Sequence, residues 1–343
     1  MKTPNMDEAV VQCDHGFVKI DPAGELITVL VAVDDAFDRS VAIPVERKGS
    51  TDKLAVAGLT AFVRSLGQPS ITIQSDAEYA IVSLVEKVCE KLPRARSRTA
   101  PKASKGSNGQ VEQKNKSIEG MARTLLASVR TLYKLNVPTS HPIVTWAIRH
   151  GAWLKDRFQL GGDGMTPYYR QNRRTYTSTL VPFAENVVWR EPGPHTLKLR
   201  AKWGYGVWLG RSANSDSHIV GTRSGTLLVR SVRRLGKEGR YNVQELLAMR
   251  GTPARMSTGG APSNQGTLIA SGSRPPIPLL IGASGASRDD AVGDVAPSES
   301  KVHEKNNDIK REKDEQMKTR RRDADGHVGP QTRRERRCSG QLQ

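Results

Sequence analysis

The first part of the chain alternates apolar runs of strand length with longer segments of helical period. Residues 9–20, 25–33 and 39–45 are short and rich in apolar and β-branched residues, which indicates strands. Residues 51–67 and 80–92 carry apolar residues at helical spacing and flank a further strand at 70–76. Thr51 or Asp52 can cap the first helix, and Gly67 can end it. The order predicts an α/β domain.

A long amphipathic helix is predicted to begin near Ser107 and to end before Pro138. Ser107 and Gln110 fit a capping box. The apolar stripe of this helix consists of Val111, Ile118, Ala122, Leu125, Val129 and Leu132. The residues before it, 94–109, are basic and small, which indicates a short strand and then a mobile loop. Another helix is predicted over residues 140–160.

The pattern changes beyond residue 175. Residues 180–235 contain short strands with turn signals between them, as is typical of a small all-β unit. Residues 251–300 are rich in Gly, Ser, Pro and Ala, and 301–337 form a mixed charge run, so both should be disordered. We therefore predict an α/β domain at 8–160, a small all-β domain at 175–236, and a disordered linker and charged tail at 240–343.

The chain is strongly basic, with 53 Lys and Arg against 35 Asp and Glu and a net charge of +18. Such an excess favours a polyanionic partner, either nucleic acid or an acidic membrane face. The longest apolar run, "LITVLVAV", is too short to span a bilayer. Three separated cysteines form neither a disulfide framework nor a zinc motif. We therefore expect a soluble intracellular protein with no membrane partner.

Three carboxylates lie at the ends of predicted elements or inside a strand. Asp14 is within the first strand, Asp76 ends "ITIQSD", and Glu112 is on the first turn of the long helix. Brought together, they would repel one another unless a cation compensates. Mg²⁺ prefers oxygen ligands, and two such ions can drive an in-line displacement at phosphorus. These carboxylates are therefore a candidate metal site.

Other interpretations of these acids stay open. Asp34, which ends an apolar run, and Asp21, in the turn "DPAG", compete with Asp14 for the place of first ligand. Taken separately, Asp76 and Glu112 could be a cap and a surface acid.

The spacing and context of these acids resemble a known family. Asp76 and Glu112 are separated by 35 residues, and "QSD" and "SNGQVEQKN" resemble motifs of the D,D-35-E signature of retroviral and retrotransposon integrases. "VAVDDAFDRSVAIPVERKG" resembles the second and third strands of that family, and "GVWLGRSANSDSHIVGT" resembles the small β-barrel of copia-type polyproteins. The resemblance covers roughly residues 8–236. One departure is Ala77, where the family has Gly.

The resemblance implies a ribonuclease-H-like fold, that is, a mixed five-stranded sheet flanked by helices, followed by a small β-barrel and a basic tail. It also implies 3′-end processing and DNA strand transfer with two Mg²⁺ ions, for which Mn²⁺ can substitute. The catalytic metal ligands would be Asp14, Asp76 and Glu112. The residues expected to contact DNA are Lys105, Asn108, Lys114 and Lys116.

The implied partners are element ends and target DNA, with a homo-oligomer as the active form. Basic clusters in the tail predict at least transient residence in the nucleus, and otherwise in the cytoplasm. The absence of a zinc-binding HHCC unit before Asp14 leads us to expect a fragment or a truncated copy. Two alternatives remain, a catalytically inactive DNA-binding remnant and an interaction protein that acts through its tail. Trp203 is a further candidate DNA contact.

Overall fold

The computed structural model describes residues 9–19, 24–100, 108–191 and 202–255. All of them lie within one compact unit, Met1–Thr267. The predicted turn at Asp21, the loop that carries Lys105 and most of the predicted tail lie outside these ranges. Within them, no helix is long and apolar enough to cross a membrane.

The first sheet has five strands. β1 (Ala9–Val18), β2 (Ile27–Asp34) and β3 (Ser40–Val45) pair antiparallel in succession. β4 (Ile71–Ser75) and β5 (Ala95–Thr99) continue the sheet on the other side of β1, parallel to it. Parallel neighbours need crossover connections, and the helices α1 (Lys53–Leu66) and α2 (Tyr79–Glu90) supply them. The order β3-β2-β1-β4-β5 confirms the expected mixed sheet.

Helices cover both faces of this sheet. Odd-numbered residues of β1, such as Val11 and Cys13, pack with the buried sides of α1 and α2. The opposite face is covered by α3 (Gly109–Tyr133) and α4 (Ile143–Phe158), which pack on Val29, Val31 and Val33 of β2. Consecutive residues of a strand point to opposite faces, and the last six residues of β2 are all buried, so β2 is buried on both sides.

The limits of α1 follow from local chemistry. The Asp52 carboxylate accepts hydrogen bonds from the N–H groups of Leu54 and Ala55, at 2.9 and 3.0 Å. At the other end Gly67 has φ 67°, a left-handed conformation that glycine adopts without a Cβ clash. The structure thus selects Asp52 over Thr51 as the cap and confirms Gly67 as the end of the helix.

The last turn of α3 differs from the predicted stripe. Leu132 is 40% exposed, and the buried residue of this turn is Tyr133. Tyr133 lies four positions after buried Val129, about one helical turn, and its hydroxyl donates to the carbonyl of Ala184 at 2.6 Å. The stripe is therefore wrong in its last member, because a tyrosine with a polar partner was not counted as buried.

A second sheet follows a short helix, α5 (Pro167–Asn172). The strands β6 (Asn186–Arg190), β7 (Trp203–Arg211), β8 (His218–Thr222), β9 (Gly225–Val229) and β10 (Val232–Arg234) form an antiparallel sheet of order β10-β6-β7-β8-β9. Val207 and Ile219 of this sheet share a hydrophobic cluster with Trp146 of α4. The two sheets are thus joined through the helices between them.

Helical structure is present beyond residue 240. The helix α6 (Val243–Ala248) is capped by Asn242, whose side chain accepts hydrogen bonds from two backbone N–H groups. Its Leu246 is buried in the same hydrophobic cluster as Trp146 of α4. A single 3₁₀ turn, Pro253–Arg255, comes next. Residues 243–248 thus form a helix inside the segment predicted to be disordered from residue 240, because Leu246 gives them an apolar side chain to bury.

His150 lies at the junction between α4 and the second sheet. Its ring stacks on Trp153 and Phe183, with centroids 5.5 and 5.3 Å away, and meets the edge of Trp208. Gly210, at φ 122°, leaves the space that the ring fills, because a Cβ there would come within 2.6 Å of Nδ1. Burial, aided by nearby guanidinium charges, lowers the pKa of His150 to about 3.

This histidine should make stability depend on pH. Below pH 6.5 the unfolded chain binds a proton that the folded chain excludes, so the free energy of unfolding should fall as the pH is lowered. The contribution is about 1.4 kcal/mol per pH unit between about pH 6 and pH 4. Denaturant unfolding of wild type and His150→Phe across this range measures it. Wild type should lose stability relative to His150→Phe as the pH falls, and a constant difference would exclude His150 as the titrating group.

Candidate functional site

The face of β1 that turns toward α3 carries Gln12, Asp14 and Gly16. Gln12 Oε1 accepts a hydrogen bond from the N–H of Val111 at 3.4 Å. The Asn115 amide lies where a Cβ at Gly16 would stand, within 2.3 Å of it. Because alternate residues of a strand share a face, Asp14 lies between these two contacts, beneath the first turns of α3.

Asp76 lies beside Asp14 at the carboxyl end of β4. The parallel register pairs Cys13 with Ser75, so the next residue of each strand comes to the same edge of the sheet. Asp76 Oδ1 accepts a hydrogen bond from Nδ2 of Asn108 at 2.7 Å. Asn108 is buried at the start of α3 and forms no side-chain cap there. Its amide instead ties the beginning of the helix to Asp76.

Glu112 is exposed on the first turn of α3, and its charge reaches Asp14. Burial raises the pKa of Asp14 to about 6, although the N–H of His15 donates to its carboxylate at 2.7 Å. The negative charges of Asp76, Glu78 and Glu112 raise this pKa further. The three predicted acids are therefore electrostatic neighbours, and Glu78 joins them.

Glu78 was not identified from the sequence. It precedes α2, two residues after Asp76, and pairs with Lys48 at 2.6 Å. One signal could have indicated Glu78: it lies just beyond the end of β4, where Asp76 already supplies a carboxylate.

Of the two competitors of Asp14, the described structure places Asp34, which lies on the opposite face of the sheet. Asp34 pairs with Val11 across β1 and β2, and paired residues share a face, so Asp34 lies on the side of α1 and α2. There it is buried and accepts from the N–H of Phe37 at 2.8 Å. Asp21 lies outside the described residues. Register thus favours Asp14 as the partner of Asp76.

The donor set has the chemistry of a site for a hard divalent cation. Oxygen ligands suit Mg²⁺, and the raised pKa of Asp14 reflects a local excess of negative charge that a cation would relieve. Over the described ranges, however, no group of three or more His, Cys, Asp or Glu side chains is placed to hold a metal ion.

The predicted DNA contacts have different surroundings. Lys116 is exposed, and in the part of the chain that the structure describes it forms no ion pair. Lys114 is bound to Asp38, with Nζ 2.7 Å from the carboxylate and the lysine side chain 14% exposed. A phosphate at Lys114 would have to displace Asp38. Lys105 lies outside the described residues.

Trp203 of the second sheet is partly exposed. The Arg233 guanidinium lies 4.6 Å from the centre of its ring. A stacked base would therefore have to share or displace this cation.

Comparison with solved structures finds similarity to retroviral integrase structures. The integrase catalytic core domain of HTLV-2 in complex with magnesium, in its trimeric form, is 18% identical with a TM-score of 0.37, over 48% of this chain and 95% of the other. The simian T-cell lymphotropic virus intasome, in complex with the PP2A regulatory subunit B56 gamma, is 18% identical with a TM-score of 0.37, over 66% and 78%. The BIV integrase core is 15% identical with a TM-score of 0.34, over 48% and 93%. Two of these three structures are retroviral integrase catalytic cores, and the third is a retroviral intasome.

The TM-scores of these superpositions are low. The fold assignment therefore rests on the order and direction of the strands in the first sheet. The order β3-β2-β1-β4-β5, with β4 and β5 parallel to β1 and helices on both faces, fits a ribonuclease-H-like integrase core. No protein-family model matches the chain, and no curated protein matches it.

Proposed function

We propose that the chain is the integrase core of an LTR retrotransposon, a polynucleotidyl transferase that processes 3′ ends and transfers DNA strands. The observation that carries this proposal is the placement of Asp14 beside Asp76 at one edge of a sheet of this order, with Glu112 on the first turn of α3, which packs on β1. In this proposal the second sheet belongs to a C-terminal β-barrel domain, and the tail is its disordered extension.

The proposed reaction exchanges one phosphodiester bond for another. In end processing, a water oxygen attacks phosphorus, and the bond to the 3′ oxygen breaks, leaving a 3′-hydroxyl. In strand transfer, that hydroxyl loses its proton and attacks a target phosphorus, while the displaced 3′ oxygen takes up a proton. Two bound Mg²⁺ ions would activate the nucleophile and stabilise the leaving oxygen.

The residues of this chain would divide the remaining tasks. Asp14, Asp76 and Glu112 would hold the ions, as three oxygen donors on adjoining elements. Asn108, which donates to Asp76, would fix the orientation of that carboxylate. Lys116 would bind a backbone phosphate from the exposed side of α3.

The proposed partners are the element ends and the target DNA, and the proposed active form is a homo-oligomer. Access to chromosomal DNA requires residence in the nucleus, at least transiently. A net charge of +18 supports a polyanionic substrate of this kind.

A second candidate function is a catalytically inactive, retrotransposon-derived nucleic-acid-binding protein. Two observations favour it. The described residues contain no group placed to hold a metal ion, and Ala77 follows Asp76 where the family has Gly. Such a protein would bind DNA in a salt-sensitive manner that is indifferent to Mg²⁺ and to the carboxylates.

Metal binding separates the two candidates. We expect Mg²⁺ or Mn²⁺ to bind the full chain in calorimetric titration and to raise its melting temperature, because a ligand of the folded state stabilises it. Asp76→Asn should lose at least one bound ion. The matched control is Asp163→Asn, whose carboxylate pairs with Arg170 outside the site and which should retain both effects. Equal metal binding by wild type and Asp76→Asn would contradict the integrase proposal.

A further inference from the structure

Strand β5 presents arginines at the edge of the first sheet. Its sequence is "ARSRT", and Arg96 and Arg98 are both exposed. β5 pairs with β4 on one side only, so in the described structure it is an edge strand. Residues two apart on a strand point to the same side, about 6.7 Å apart along it. The two guanidinium groups therefore form one short basic row.

This row lies on the same face of the sheet as the carboxylates. Arg98 pairs with Gln74 of β4 in register, and its Nε donates to Gln74 Oε1 at 2.9 Å. Gln74 in turn pairs with Gln12 of β1, which shares the face of Asp14. Paired residues of neighbouring strands point to the same side of the sheet. Arg98 therefore lies on the same face as Gln12 and Asp14.

The position of the row relative to Asp76 follows from strand spacing. Asp76 is two residues beyond Gln74, and neighbouring strands lie about 4.8 Å apart, so the Cα atoms of Arg98 and Asp76 are roughly 8 Å apart. Arg96 stands one repeat further away along β5. On this face α3 packs on β1 and β2, and α4 packs on β3. The helices thus leave the side toward β5 less covered.

The charges of this surface fit a phosphate backbone. Neither Arg96 nor Arg98 forms an ion pair with a carboxylate in the described ranges. Their guanidinium groups match phosphate oxygens in a two-bond geometry. The neighbouring carboxylates would repel a DNA strand, so attraction has to come from cations outside the acidic cluster. Lys114 is engaged with Asp38, so among the described residues the β5 row and the exposed Lys116 of α3 can offer positive charge to a phosphate backbone.

We propose that Arg96 and Arg98 bind consecutive backbone phosphates of the DNA strand that leads to Asp76. This inference rests on the proposed function for the identity of the strand, but the phosphate contacts themselves require neither catalysis nor metal. The sheet edge then holds the strand in register, and the carboxylates act on the phosphate next in line.

The test compares salt-dependent binding of a short blunt-ended DNA duplex by full-length variants, measured by fluorescence anisotropy without divalent metal. Each phosphate contact contributes about 0.9 to the slope of log K against log salt. The double variant Arg96→Gln/Arg98→Gln should reduce the slope by about 1.8 and lower the affinity by roughly 10- to 100-fold at low salt. The variant Arg96→Lys/Arg98→Lys keeps the charges and should retain the slope.

The matched control removes two exposed arginines elsewhere, Arg64 on α1 and Arg130 near the end of α3. Arg64→Gln/Arg130→Gln should leave the slope within experimental error of wild type. An unchanged slope in Arg96→Gln/Arg98→Gln, with a native melting curve, would overturn the inference. So would polyglutamate binding of equal strength that depends on the same two arginines, because the partner would then be an acidic protein.

The outcome is distinguishable from the fate of the proposed function. If wild type transfers strands but the β5 variant binds DNA normally, the catalytic proposal stands and the inference fails. If wild type binds no metal and transfers no strand, yet the β5 variant loses the expected slope, the surface stands as a DNA contact of an inactive protein.

Discussion

Replacement of Glu112 by Gln should lower metal-dependent DNA strand transfer by at least about 10³-fold while leaving the fold intact. The substitution removes one oxygen charge from the proposed metal site, and metal-based stabilisation of the transition state contributes several kcal/mol. Glu112 is exposed on the first turn of α3, so the loss of its charge should hardly affect stability. Product formation on a donor DNA end, with Mg²⁺ or Mn²⁺, gives the rate.

The control for Glu112 lies on the same helix. Glu119 is seven residues further along α3, on a similar face but two turns away from Asp14. Glu119→Gln should transfer strands at the wild-type rate, with a similar change in net charge. If Glu112→Gln is as active as Glu119→Gln, Glu112 is not a metal ligand and the acid at this position is a surface residue.

Replacement of Asp156 by Ala should destabilise the protein by about 3–5 kcal/mol. Asp156 lies on α4, and its two oxygens bind Arg39 Nε at 2.6 Å and Arg157 Nη1 at 3.1 Å. All three side chains are largely buried: Asp156 is 2% exposed, Arg39 11% and Arg157 6%. Without the carboxylate, both guanidinium groups would lose their directly bonded carboxylate in a poorly solvated region. Urea denaturation measures the loss of stability.

An exposed ion pair provides the comparison for Asp156. Lys87 and Glu90 of α2 lie 2.5 Å apart, with side chains 49% and 61% exposed. Glu90→Ala should cost less than about 1 kcal/mol, because solvent screens such pairs. A loss of similar size in both variants would show that the Asp156 pairs are as well solvated as a surface pair.

The elements of the first sheet could be predicted because their signals are local. β2 is apolar at nearly every position, and this pattern requires burial on both faces. Asp52 and Gly67 bound α1 through contacts within a few residues. The burial of Tyr133 could not be predicted in this way, because it depends on a carbonyl at Ala184, far along the chain.

The sequence named three acids for the candidate site, but it did not indicate Glu78 and could not give the arrangement of the site. The 35-residue spacing and the family resemblance indicated Asp76 and Glu112 as two ligands of one site. Asp14 was one of three possible first ligands. Strand register then separated Asp14 from Asp34, since a shift of one residue moves a side chain to the opposite face. No pattern in the sequence shows which face of the sheet each of these two residues occupies.

The amino-acid sequence by itself determined the order of strands and helices, the basic charge and the acids that can serve as ligands, because these follow from local periodicity and composition. Only the tertiary structure decided which side chains meet. It tied Asn108 to Asp76, paired Lys114 with Asp38 and placed Arg98 on the face of Asp14. Each of these contacts joins segments far apart in the chain, so it depends on strand register and helix packing, which local sequence does not encode.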